Sequence, residues 1–142
     1  MKPVQHRRDH YKLFEPVQMR WADTDIYGHM NNAVHYVLFD TGVQNFLIRE
    51  GLLDLKQSET VFLVVSAGCT YFEEITFGDR LELGLFVNRL GTTSITYDLG
   101  LFRNGAQTPA AQGHFTHVNV DRETKTPMPL SSKAQTIFKK LT

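Results

Sequence analysis

Trp21-Ala22-Asp23-Thr24-Asp25-Ile26-Tyr27-Gly28-His29-Met30-Asn31-Asn32 joins an extended run, residues 14–20, to a long apolar segment, residues 33–49. The stretch therefore reads as a strand-to-helix junction. Gly28 lets the backbone turn without a Cβ penalty, and Asn31 or Asn32 can cap the helix that follows. The first amides of such a helix lack intrahelical partners and point, with the positive end of the helix dipole, at whatever precedes them. A carbonyl oxygen suits that position. Asp25 lies a few residues upstream, near enough to set a carboxylate beside a group held by those amides, which is the minimum equipment for attacking a polarised carbonyl. The same residues have a plainer reading, in which Asp23, Thr24 and Asp25 are ordinary turn formers.

Outward from the junction, the apolar pattern predicts a helix over 33–49. Val34, Leu38, Thr41 and Ile48 mark one face, and Tyr36, Phe39, Val43, Phe46 and Leu47 cover another, so burial on more than one side is expected. Gly42 inside this helix costs about 1 kcal/mol of propensity, which implies that something packs closely there. Gly51 is placed as its stop. Residues 13–21 read as a first strand, with Pro16 marking an edge or a bulge. Further strands are predicted over 61–72, 80–89, 94–103 and 112–120. Leu81, Leu83, Leu85 and Val87 alternate with other residues, as do Ile95, Tyr97, Leu99 and Leu101, so each of these strands buries one face. The short turns at Gly78-Asp79, Gly91-Thr92 and Asn104-Gly105 favour antiparallel hairpins. Five strands and one early helix make an α+β domain with the sheet curling around the helix. Ser131 or Ser132 caps a short last helix running through Phe138 to Leu141, expected on the surface.

The chain of 142 residues fits a single domain over 1–142, within which 1–11 reads as a flexible basic segment. Lysine plus arginine equals aspartate plus glutamate, 15 of each, so no global field favours nucleic acid or an anionic membrane. One cysteine, Cys69, excludes an internal disulfide, and no charged n-region with an apolar h-region opens the sequence; a cytoplasmic location is the expectation. No apolar run reaches the roughly 18 residues that a membrane-spanning helix needs.

Residues 20–42, RWADTDIYGHMNNAVHYVLFDTG, resemble the signature of hot-dog-fold acyl-CoA thioesterases of the 4-hydroxybenzoyl-CoA thioesterase type. The likeness continues through FEEITFGDRLEL, RLGTTSITYDL and HVNVDRETKTPMPLS, and so covers nearly the whole chain. It is most specific at Asp25, Gly28 and the Asn31-Asn32 pair. The resemblance implies a five-stranded antiparallel sheet wrapped around a long central helix, hydrolysis of an acyl-CoA to free acid and coenzyme A, and homodimers or homotetramers joined sheet edge to sheet edge. It implies that Asp25 is catalytic, as nucleophile or as general base, and that an amide near Asn32 polarises the thioester carbonyl. Tyr27, Gly28, His29 and Asn31 then become candidate substrate-binding residues. No metal or other cofactor is implied. Two alternatives stand beside this reading, an acyl-ACP thioesterase and a catalytically silent acyl-CoA-binding protein of the same fold.

Other chemistry is poorly supported. His6 and His10 have an i, i+4 metal-ligand spacing only if their segment is helical, and Pro3 argues against that. His114 and His117, three apart on a strand, face opposite ways and cannot share a metal, and one of them is a candidate core histidine. His29 is read either as orienting substrate or Asp25, or as bonding to local backbone; His35 is read as structural. Cys69 lacks a C-x-x-C partner, and serine-hydrolase, P-loop and dinucleotide motifs are absent. Asp40 and the Glu73-Glu74 pair are candidate auxiliary carboxylates, with a surface charge as the plainer reading of Asp40. Arg89, Arg103, Arg122, Lys125 and Lys133 are the candidate phosphate contacts for coenzyme A.

Overall fold

A computed structural model describes residues 3–142. Five strands, β1 (Leu13–Val17), β2 (Thr60–Tyr71), β3 (Leu81–Leu90), β4 (Ser94–Arg103) and β5 (Ala111–Asp121), form one antiparallel sheet in the order β1-β3-β4-β5-β2. The long helix α1 (Val34–Arg49) carries the chain from one sheet edge to the other, and α2 (Ser132–Lys139) follows the last strand. This is the hot-dog arrangement, a sheet packed around a central helix. Pro16 sits on the edge strand β1, where its missing N–H costs no central ladder bond. β1 ends four residues earlier than the apolar pattern suggests, because Arg20 and Asp23 bond reciprocally and turn residues 21–23 into a single 3-10 turn.

The sheet's two faces follow from register. Leu83 pairs with Leu101 and Leu85 with Leu99, so these side chains share one face, and all four are completely buried with Phe39, Val43, Phe46 and Leu47 of α1. Gly42 is a point of close approach between helix and sheet. A Cβ there would lie 2.4 Å from Leu83 Cδ2, so the glycine gives up helix propensity to bring the axis onto β3. The helix buries one side only in the single chain: His35, Leu38, Phe39, Gly42, Val43, Phe46 and Leu47 face inward, whereas Val37 and Ile48 are 60% and 44% exposed.

The last helix departs from the surface expectation. Ser131 caps it by accepting the Ala134 N–H at 3.1 Å, but Phe138 is fully buried among Phe46, Phe62 and Tyr97, and the Leu141 carbonyl accepts the Val87 N–H at 2.8 Å. A short polar helix with a single aromatic, Phe138, is enough to plug the open end of the core.

The opposite sheet face, with Gly84, Phe86, Asp98, Gly100 and Phe102, is covered by residues 4–11. Composition reads 1–11 as flexible, yet Tyr11 is buried against Gly84 and Gly100, and the Arg8 guanidinium lies over the Phe14 and Phe102 rings and pairs with Glu82 at 2.8 Å. The anchoring uses glycine gaps and aromatic faces that no local pattern in 1–11 reveals. Met1 and Lys2 lie outside the described residues. No helix among those described is long and apolar enough to cross a membrane.

Candidate active site

The junction loop closes on Asp25. Its Oδ1 accepts the backbone N–H of Tyr27 at 2.8 Å and of His29 at 3.3 Å, while its own N–H donates to the His29 carbonyl at 2.8 Å. Gly28, at φ 82°, takes the left-handed turn that lets its N–H reach the Asp25 carbonyl at 3.1 Å. One carboxylate oxygen therefore shapes the turn, as the plainer reading requires. Among the described residues nothing donates to the other, Oδ2. The loop tip, Ile26 and Tyr27, projects outward at 92% and 76% exposure.

At the helix start the two asparagines divide their work. Asn31 Oδ1 accepts the Ala33 N–H at 2.9 Å and its carbonyl accepts that of Val34 at 3.0 Å, so Asn31 serves the orphan amides. Asn32 presents backbone instead. Its carbonyl accepts the Tyr71 hydroxyl at 2.7 Å and lies 3.2 Å from His35 Nδ1, which places the imidazole proton on that nitrogen. Its own N–H meets no acceptor among the described residues.

A cleft of about 230 Å³ lies beside this helix start, lined by His29, Met30, Asn32 and His35 on one side and by residues 71–75 on the other. The Met30 N–H donates to the Ile75 carbonyl at 2.7 Å, fastening the loop to the segment after β2. Glu74 Oε2 meets His29 Nε2 at 2.9 Å at the rim. The His35 ring stands edge-on to Tyr71 at 4.7 Å, and burial, the largest influence on it, lowers its pKa and keeps it neutral. Burial likewise pushes the Tyr71 phenol up to about 12, so it remains a donor.

Of the residues singled out from sequence, His29, Asn32 and the Glu73-Glu74 pair line the cleft. Asp25, Tyr27, Gly28 and Asn31 do not; Asp25 touches it through the backbone of His29. His35 and Tyr71 were not among the candidates. His35 had a usable signal, since it falls three residues after Asn32 and so on the same side of the helix start. Tyr71 had none, because only the sheet topology brings it there. Asp40 is exposed and accepts from Gln44 at 3.2 Å, away from the cleft, a surface charge. Burial raises the Cys69 thiol to about 11, which leaves it a poor nucleophile. Four of the five candidate phosphate contacts already hold partners: Arg103 with Asp79 at 3.0 Å, Arg122 with the Asp54 and Leu55 carbonyls, Lys125 with the Arg122 carbonyl and Lys133 with that of Gly51.

Residues 19–138 match the family described as the Thioesterase-like superfamily. The PA5185 protein of Pseudomonas aeruginosa strain PAO1 superposes with a TM-score of 0.93 at 40% identity, over 97% of this chain and 96% of that one. A thioesterase of Thermus thermophilus, crystallised with coenzyme A and Zn, gives 0.76 at 25% identity over 94% and 96%. Slr0204 of Synechocystis, a 1,4-dihydroxy-2-naphthoyl-CoA thioesterase, shares the fold at 0.77 and 20% identity over 88% and 93%.

Proposed function

The chain belongs to the Thioesterase-like superfamily, and from that premise we propose that it hydrolyses acyl-CoA thioesters to a free carboxylic acid and coenzyme A. The observation that carries this reading is a free amide at the start of α1 together with a free carboxylate oxygen in the loop that leads into it. The Asn32 N–H, at the positive end of α1, has no acceptor among the described residues, and Asp25 Oδ2, in the 25–29 turn just upstream, accepts no hydrogen bond among them.

In the proposed reaction the thioester carbonyl oxygen accepts the Asn32 N–H, and this bond strengthens as negative charge develops on that oxygen. Asp25 supplies the other half, as nucleophile at the carbonyl carbon or as general base on the attacking water. The carbon–sulfur bond breaks, the thiolate leaves and is protonated, and one water is consumed per turnover. Asp25 Oδ1 stays engaged with Tyr27 and His29, which holds the carboxylate in one orientation before substrate arrives. His29 and Glu74 form the mouth, with Tyr27 and Gly28 shaping the loop and Asn31 holding the helix start.

The reading includes a homodimer at least, in the cytoplasm. β2 is an edge strand with Leu63, Val64 and Val65 at 40%, 45% and 61% exposure, a long open edge that pairing with a second copy would satisfy. It ends at Tyr71 on the cleft, so a partner strand laid along it would help wall the site.

The experiment is steady-state hydrolysis of short, long and aryl acyl-CoAs with detection of the released thiol. Turnover on at least one class supports the reading. Zero turnover across all three, with acyl-CoA binding still measurable by calorimetry, overturns it in favour of a silent binding protein.

A further inference from the structure

On the sheet face opposite the cleft, His6 and His10 arrive by a route other than a helix. An extended backbone and one 3-10 turn, residues 8–10, stack the two imidazoles with centroids 3.8 Å apart and planes 8° from parallel. Both rings turn toward Asp98 of β4, whose Oδ2 lies 3.0 Å from His10 Nε2 and 3.9 Å from His6 Nε2. One donor atom from each of the three residues falls within 4.8 Å of the other two. The group opens onto a cavity of about 650 Å³ that His114 and Gln112 also line.

Two imidazoles and one carboxylate are a donor set suited to first-row divalent ions. Ligands bound at about 2.0–2.2 Å in tetrahedral geometry lie roughly 3.3–3.6 Å from one another, a spacing that falls between the two observed distances. We propose that His6, His10 and Asp98 form a binding site for a divalent transition-metal ion such as Zn²⁺, separate from the thioester cleft. The ion takes Nε2 of each histidine and Oδ2 of Asp98, and the cavity leaves its remaining positions to water. To share one ion the two rings fan apart from their stack, and the cavity beside them provides the space.

Two features support the set. Asn88 Nδ2 lies 3.2 Å and 3.3 Å from the two Asp98 oxygens and orients the carboxylate, the usual role of a second layer around a metal ligand. Phe86, at 4.4 Å from the His10 ring, and Tyr11, edge-on at 5.0 Å, give His10 an apolar backing. The donors come from the N-terminal segment and from β4, so an ion there clips that segment to the sheet. Binding to the folded state alone raises stability by mass action.

The test uses the full chain without a polyhistidine tag, stripped with chelator and titrated with Zn²⁺ by calorimetry and with Co²⁺ by visible absorption. The expected result is one ion per chain with micromolar or tighter affinity, a Co²⁺ band in the visible, and a melting temperature that rises with Zn²⁺. Asp98→Asn keeps the shape and the contact with His10, and should weaken binding at least tenfold; His6→Gln should do the same, while His114→Ala, in the same cavity but outside the donor set, should leave binding unchanged. Absence of saturable uptake at 100-fold molar excess of Zn²⁺, or uptake undiminished in both Asp98→Asn and His6→Gln, overturns the assignment.

Discussion

The Tyr71 hydroxyl donates to the Asn32 carbonyl at 2.7 Å, so the end of the edge strand β2 is fastened to the helix start at the floor of the cleft. Asn32 is also the residue whose amide is free, and orienting its carbonyl orients the peptide plane on that residue's far side. Tyr71→Phe removes this donor, and with it the hydroxyl's hydrogen bond with the Cys69 thiol. The expected cost in stability is about 1 kcal/mol, the usual net value of one hydrogen bond, read as a lower urea midpoint at unchanged slope. Activity should fall with it, in kcat more than in KM, if the helix start must be held still for the transition state.

His117 gives the chain an acid sensitivity of its own. It is completely buried on β5 with neither ring nitrogen hydrogen-bonded among the described residues, and burial lowers its pKa to about 4. The unfolded chain takes up a proton near the ordinary value of 6.5 and the folded chain cannot until about 4, so stability is full above 6.5 and is lost as pH falls between those values. The loss amounts to about 3 kcal/mol at its largest. Urea unfolding of the wild type and of His117→Leu at pH 7.5 and pH 5 measures it, and the variant should show a shallower decline over that interval.

Gly42 predicts an unusual sign. Glycine to alanine inside a helix ordinarily gains about 1 kcal/mol, but here the added methyl meets Leu83 Cδ2 at 2.4 Å and Leu83 Cβ at 3.2 Å in a fully buried position. Overpacking of this kind costs about 1–3 kcal/mol, so Gly42→Ala should be net destabilising by about 1 kcal/mol. Pairing it with Leu83→Ala should give a double variant less damaged than the sum of the singles, the signature of two residues competing for one space.

Much of this architecture was legible in the sequence because it rests on local rules. Period-two alternation marked β3 and β4, short glycine turns marked the hairpins, and Gly42 announced a close approach whose partner proved to be Leu83. The junction loop was legible for the same reason, since Asp25, Gly28 and Asn31 act on their own neighbours. The remainder depends on residues far apart in the chain. Tyr71 reaches Asn32 across 39 positions, and Asp98 reaches His10 across 88; neither distance leaves a periodic trace. Phe138 misled in the same way, since a lone aromatic on a polar helix gives no sign of the pit between Phe46 and Tyr97 that it fills.

Asn31 should matter for the helix rather than for chemistry. Its side chain accepts the Ala33 N–H, so Asn31→Ala should cost about 1 kcal/mol of stability, while Asn31→Asp, which keeps the acceptor, should cost little. Thermal denaturation of the two variants side by side checks the assignment.

The central claim rests on Asp25, and Asp25→Asn isolates it. Asparagine keeps the Oδ1 that accepts from Tyr27 and His29, so the turn and the melting temperature should persist while the charge at Oδ2 is gone. Asp23 is the comparison in the same loop: it is buried and holds the Arg20 side chain at 2.8 Å, so Asp23→Asn should lower stability and leave turnover near the wild-type value. The decisive measurement is kcat of Asp25→Asn on whichever acyl-CoA the wild type hydrolyses best. A fall of at least about 100-fold with little change in melting temperature is the expected result; retention of more than about a tenth of wild-type kcat would contradict the assignment of Asp25 as nucleophile or base.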